Sequence, residues 1–171
     1  MKKFYVKSEL DIPYHTPDQK KFYLKRCAEF DEVQIGFDKI VFLGDSITEG
    51  GGNWNNYFGT KNIVNRGISG DTTLGVLARL NEICFYKPIS LFLLIGINDI
   101  FNTDSPNRKN ITPLSVANNI ITIADAIYKR SPNTQVYIQT TLPINNKLYK
   151  KLTGTFPCHE MPLPDQINQI N

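Results

Sequence analysis

The stretch Ile40-Val41-Phe42-Leu43-Gly44-Asp45-Ser46-Ile47-Thr48-Glu49-Gly50 runs four apolar residues into a glycine, an acid and a serine. A continuous apolar run closed by a turn residue is the pattern of a strand covered on both faces, as in a parallel sheet. Reacting groups in such sheets collect at the carboxyl ends of the strands, which is where Ser46 falls. Gly44 can take the tight backbone that turns the chain and points the hydroxyl outward. Asp and Ser are also ordinary turn and cap residues, so the segment acquires chemistry only through companions elsewhere.

Upstream, Thr16-Pro17-Asp18-Gln19 combines a cap residue, a first-turn proline and a glutamine three positions after the cap. Phe22, Tyr23, Cys27 and Phe30 follow at helical spacing, which predicts a helix over residues 17–30. Downstream, residues 53–58 predict a short helix or turn whose Trp54 either lines a substrate pocket or packs in the core. Residues 62–66 predict a strand ending at Gly67. Cap residues over 68–73 then lead into a helix through Leu74, Leu77, Ala78 and Leu80.

Residues 90–95 repeat the opening device, a buried strand running into Gly96-Ile97-Asn98-Asp99. Thr112-Pro113 opens a helix striped by Val116, Ile120, Ile123, Ala124 and Ile127, ending near Arg130, and residues 135–139 predict a fourth strand. Residues 143–164 read as a loop punctuated by prolines, and an amphipathic helix begins at Asp165. Strands alternating with helices predict an α/β fold, a three-layer sandwich with a doubly wound parallel sheet.

The 171 residues are 41% hydrophobic and 20% charged, the composition of one globular domain. Within it, residues 1–35 form an amino-terminal arm and helix, 36–143 the core, and 144–171 a loop and the start of a helix. A net charge of +3 from scattered Lys and Arg asks for neither nucleic acid nor a membrane partner. The longest apolar run, residues 91–95, is too short to cross a bilayer. After Met1-Lys2-Lys3 no hydrophobic stretch develops, and Cys27, Cys84 and Cys158 show no metal-type spacing, so reduced thiols in the cytoplasm are expected. A secreted protein stripped of its leader would read the same way. Neither a metal nor a cofactor is expected, and a nucleotide-binding module of flavodoxin type is disfavoured because no turn offers a Gly-rich phosphate cradle.

Three polar turns therefore end three strands: Gly44-Asp45-Ser46, Asn65-Arg66-Gly67 and Gly96-Ile97-Asn98-Asp99. Acyl transfer needs a nucleophilic hydroxyl and donors aimed at the oxygen that becomes negative. Ser46 supplies the first; the amide N–H of Gly67 and the side chain of Asn98 suit the second. Asp45 and Trp54 are the expected substrate contacts.

In these blocks the chain resembles the SGNH hydrolase superfamily, the GDSL-type lipases and esterases. Gly44-Asp45-Ser46-Ile47-Thr48 looks like its first block, Asn65-Arg66-Gly67-Ile68-Ser69-Gly70-Asp71 its second and Gly96-Ile97-Asn98-Asp99 its third. The resemblance implies strand order 2-1-3-4-5, Ser46 as nucleophile, and an oxyanion hole from Gly67, Asn98 and the Ser46 backbone. It implies hydrolysis of a small-molecule ester, such as an acetyl or other short acyl group on a carbohydrate or lipid-like alcohol.

The family's Asp-x-x-His block is missing. His15 and His159 have Ile12 and Phe156 three positions earlier, and a serine without a base is a poor nucleophile. His159, beside Glu160, is the candidate substitute base. The expected last strand and helix are missing as well, which reads as truncation and predicts an impaired esterase. An open sheet edge would drive self-association. The competing expectation is a non-catalytic binding module that keeps the fold.

Overall fold

The computed structural model describes residues 2–5, 10–101, 110–154 and 161–171. Helix α1 (Pro17–Glu32) starts where the capping box predicts: Thr16 Oγ1 accepts from the Gln19 amide, and Gln19 Oε1 accepts from the Thr16 amide. It buries Tyr23, Cys27 and Phe30 but leaves Phe22 exposed, so the stripe is narrower than its spacing implies. These side chains join Phe4, Tyr5, Leu10, Ile12 and Ile68 in a small cluster of their own.

Four strands follow: β1 (Ile40–Gly44), β2 (Ile63–Gly67), β3 (Ser90–Leu94) and β4 (Gln135–Ile138). All neighbours pair in parallel in the order β2-β1-β3-β4, with Gly44 level with both Gly67 and Leu94. The chain passes from β1 outward to β2, then crosses back to β3 on the other side of β1. This reversal between β1 and β3 opens the crevice that doubly wound sheets use for ligands.

Short helices α2 (Ser46–Gly50) and α3 (Asn55–Phe58) link β1 to β2, and α4 (Thr73–Ala78) with α5 (Asn81–Tyr86) links β2 to β3. After β3 come α6 (Ile97–Ile100) and α7 (Pro113–Arg130), then, beyond β4, α8 (Asn146–Thr153) and α9 (Leu163–Ile170). Val41, Leu43, Leu91 and Leu93 face α4, α5, α7 and α9 and form the main core with Val116, Ile123, Ile127 and Leu163. The opposite face carries a row of rings: Phe42 level with Phe92, and Phe92 with Tyr137, at centroid spacings of 5.2 and 4.7 Å. Trp54 and Phe58 cover the Phe42 end of that row.

The fold class and strand order agree with expectation, and three local readings change. The helix expected through Leu80 divides into α4 and α5 because Arg79 leaves helical geometry at φ −116° and ψ 23° and turns inward. The segment expected to be a loop after Pro143 contains α8, capped by Asn145 Oδ1 on the Leu148 amide. The expectation of cover on both faces fails at β4: Tyr137 and Ile138 point to opposite faces of the sheet, and among the described residues nothing buries them, at 47% and 50% exposed.

Candidate active site

Ser46 is the first residue of α2 and is exposed, directly beyond the carboxyl end of β1. Asp45 precedes it as the helix cap, its Oδ1 accepting from the Ile47 amide at 2.9 Å. The Asp45 side chain is only 1% exposed, Oδ2 has no hydrogen-bond partner, and burial raises its carboxyl above the ordinary range. A group so enclosed positions the serine turn rather than presenting itself to a ligand. Trp54 likewise packs: its ring lies 5.1 Å from Phe42 and its Nε1 donates to the Thr48 carbonyl at 2.9 Å.

Asn65 fastens the far end of α2. Its Nδ2 donates to the carbonyls of Thr48, Glu49 and Gly52, adding to the donors that hold the carboxyl end of α2. Its Oδ1 accepts the Gly67 amide at 2.8 Å. The Gly67 N–H is thus spent inside the protein, and Gly67 is buried where a Cβ would stand 2.2 Å from the Glu49 nitrogen. This glycine lets α2 lie on β2; it is not placed as the oxyanion donor its strand-end position predicts.

Three residues on, Gly70 has the backbone for such a donor. Its φ is +79°, it is half-buried, and only the Gln19 side chain comes within 4 Å of where a Cβ would be. Among the described residues no hydrogen bond occupies its amide. The signal was present in the sequence, since a glycine inside Ser69-Gly70-Asp71 is the natural place for a positive φ. Asp71, next in line, accepts Asn98 Nδ2 on its carbonyl at 2.9 Å, so the second and third turns are tied together. Asp99 strengthens the tie, its carboxylate accepting both the Thr73 amide and hydroxyl.

The residue that joins the first turn to the second is one the sequence does not advertise. Arg79, 1% exposed, donates to the Gly44 carbonyl at 3.1 Å, to the Arg66 carbonyl at 2.9 Å and to Asp71 Oδ2 at 2.7 Å. Burial pushes the Asp71 carboxyl up to about 6 while the Arg79 guanidinium pulls the other way. Glu49 adds an outer tie, accepting the Ser69 amide at 2.6 Å and pairing with Arg26 at 3.0 Å. Burial pushes the Cys27 thiol up to about 12, which removes it as a competing nucleophile.

Ser46, Asn98 and the glycine turn therefore stand at three adjacent strand ends in the order β2-β1-β3. His159 lies outside the described residues. His15 sets its ring edge-on to Tyr23 of α1 at 5.3 Å. Among the described residues no group of His, Cys, Asp and Glu has the arrangement of a metal site.

No functionally curated protein matches the chain. Among solved structures, a Streptococcus pneumonia protein described as a platelet activating factor is 27% identical. That match has a TM-score of 0.57 and covers 80% of this chain and 70% of that one. A GDSL-like lipase from Bacteroides thetaiotaomicron is 21% identical with a TM-score of 0.64, over 87% of this chain and 69% of that one. An acetylxylan esterase from Geobacillus stearothermophilus is 20% identical with a TM-score of 0.58, over 80% and 69%. The last two show a shared fold. The profile of GDSL-like lipases and acylhydrolases matches residues 42–165, the span from β1 into α9 that holds all three turns, and the chain belongs to that family.

Proposed function

We propose that the protein hydrolyses carboxylic esters with Ser46 as nucleophile. Ser46 Oγ adds to the acyl carbon, the alcohol leaves, and water releases the acyl group from the serine. Asn98 Nδ2 and the amide of Gly70, in place of Gly67, stabilise the oxygen that becomes negative. The observation that carries the reading is an exposed serine heading a helix at the sheet's switch point, beside a turn stitched to Asn98 by Asp71. The acyl group is short, an acetyl on a carbohydrate or lipid-like alcohol. Support comes from the fold shared with acetylxylan esterases, one of them a catalytic mutant in which a serine becomes alanine.

Hydrolysis of 4-nitrophenyl acetate by the wild type and by Ser46→Ala tests this. The expected result is loss of enzymatic turnover in the variant; equal rates would remove Ser46 from the mechanism and leave a fold that only binds. Asn98→Ala is expected to lower kcat about 10²- to 10³-fold with KM little changed, the signature of a lost oxyanion donor. His159→Ala reads the base. A rate that falls to the level of a site with donors alone, about 10³ to 10⁴ over water, assigns the proton transfer to His159.

A further inference from the structure

Helix α8 presents two exposed stripes. Leu148 and Leu152, one turn apart, are 51% and 76% exposed, and Lys147, Lys150 and Lys151 stand beside them in solvent. The helix faces inward through Tyr149, whose ring meets Phe101 at 5.5 Å. Phe101 closes α6, the helix that carries Asn98. Helix α8 therefore packs against the end of the element that carries Asn98.

A pair of leucines left in water at a helix surface is a cost that a soluble protein normally avoids by burial or by polar substitution. The charge around them says what covers them. Between Asp125 and Glu160 the chain carries no acidic side chain, while Lys129, Arg130, Lys147, Lys150 and Lys151 fall in the same span. A short helix with apolar residues on one flank and lysines on the next lies in the plane of a membrane interface, leucines at the acyl boundary and ammonium groups at the headgroups. Among the described residues no helix is long and apolar enough to cross a membrane, so the contact is peripheral.

We propose that α8 docks the protein on an anionic lipid bilayer and holds the Ser46 edge against esters presented there. The expectation of no membrane partner rested on charge taken over the whole chain; residues 146–153 concentrate three lysines on one short helix. Docking itself does not rest on the esterase reading; only its consequence for the substrate does. Each lysine near an anionic surface contributes about fivefold to binding, so three contribute about a hundredfold.

Co-sedimentation with phosphatidylglycerol and phosphatidylcholine vesicles, read without any substrate, tests the surface separately from the chemistry. The wild type is expected to bind phosphatidylglycerol vesicles, to bind phosphatidylcholine far more weakly, and to be released by raised salt. A Lys147→Glu, Lys150→Glu, Lys151→Glu variant is expected to lose about two orders of magnitude or more, and Leu148→Ser with Leu152→Ser to lose binding at constant charge. Both variants should keep wild-type circular dichroism and wild-type 4-nitrophenyl acetate turnover. Absence of vesicle binding, or binding that neither variant changes, overturns the proposal. So does an α8-dependent oligomer in light scattering without vesicle binding, which would make the surface a protein contact.

Discussion

Arg79 carries a permanent charge at a site closed to water, and its three acceptors explain why it is tolerated there. Removing it leaves the buried Asp71 carboxylate without its counter-charge and takes one donor from each of the carbonyls of Gly44 and Arg66 in a dry interior. Arg79→Ala is expected to cost about 3–5 kcal/mol in urea unfolding, a large share of the roughly 5–15 kcal/mol of an ordinary domain. Asp45 behaves in the opposite way. Its carboxyl is buried with one oxygen unpartnered, and its folded pKa is raised. The folded state thus holds this proton more tightly than the unfolded chain, and stability from this group falls as pH rises from the unfolded value through the folded one. Asn caps helices as well as Asp does. Asp45→Asn is therefore expected to narrow the pH dependence of stability, with any gain over the wild type largest at pH 7 and shrinking as acid protonates the wild type. Chemical denaturation at pH 7 and pH 5 reads the difference; a gain that grows in acid would contradict the sign.

At the scale of elements, α2 is five residues long and has little stability of its own. It is held by Asp45 at one end, Asn65 at the other, and close contact with β2 through Gly67. A methyl at position 67 would meet Glu49 N, Glu49 Cα and the Asp45 carbonyl, all within 2.8 Å, and backbone cannot rotate away as a side chain can. Gly67→Ala is expected to cost about 3 kcal/mol and to displace Ser46, so turnover falls by more than stability alone explains. Gly50→Ala, with open space around it, is expected to be neutral or to stabilise by a few tenths of a kcal/mol. This element also shows what a sequence can carry. Apolar runs and cap residues mark β1, β3, α1 and α7 because burial and capping are local in sequence. Gly67 and Gly70 sit three residues apart in one turn, and which of them spends its amide depends on the Asn65 side chain, a tertiary fact. Nothing in the sequence singles out Arg79 and Glu82, since arginine and glutamate are usually surface residues. Only the fold shows Glu82 fully buried, holding Arg66, the Tyr5 hydroxyl and the Ile35 amide. The lysines of α8 are grouped in the sequence already, but the leucines beside them and the exposure of both are set by the helix.

Among the described residues, the sheet is finished on one side and open on the other. β2 is covered by α2, which packs along it, whereas β4 pairs with β3 and has no strand on its far side among the described residues. A free edge offers unpaired amides and carbonyls, and the usual guards are lysine, proline or a bulge. The segment Gln135-Val136-Tyr137-Ile138 has none of them. Tyr137 extends the Phe42–Phe92 row to the rim, so an incoming strand would gain ring contacts as well as backbone hydrogen bonds. The expected outcome is concentration-dependent self-association through β4, seen as a rising mass in size-exclusion chromatography with light scattering. Ile138→Lys puts a charge on the exposed edge and is expected to shift the population to monomer without lowering the unfolding midpoint, because the side chain it replaces is already half in solvent. The triple glutamate variant of α8 is expected to leave that association unchanged, since edge pairing draws on backbone groups of a different element. A wild type that stays monomeric across the concentration range would mean that another part of the protein guards the β4 edge.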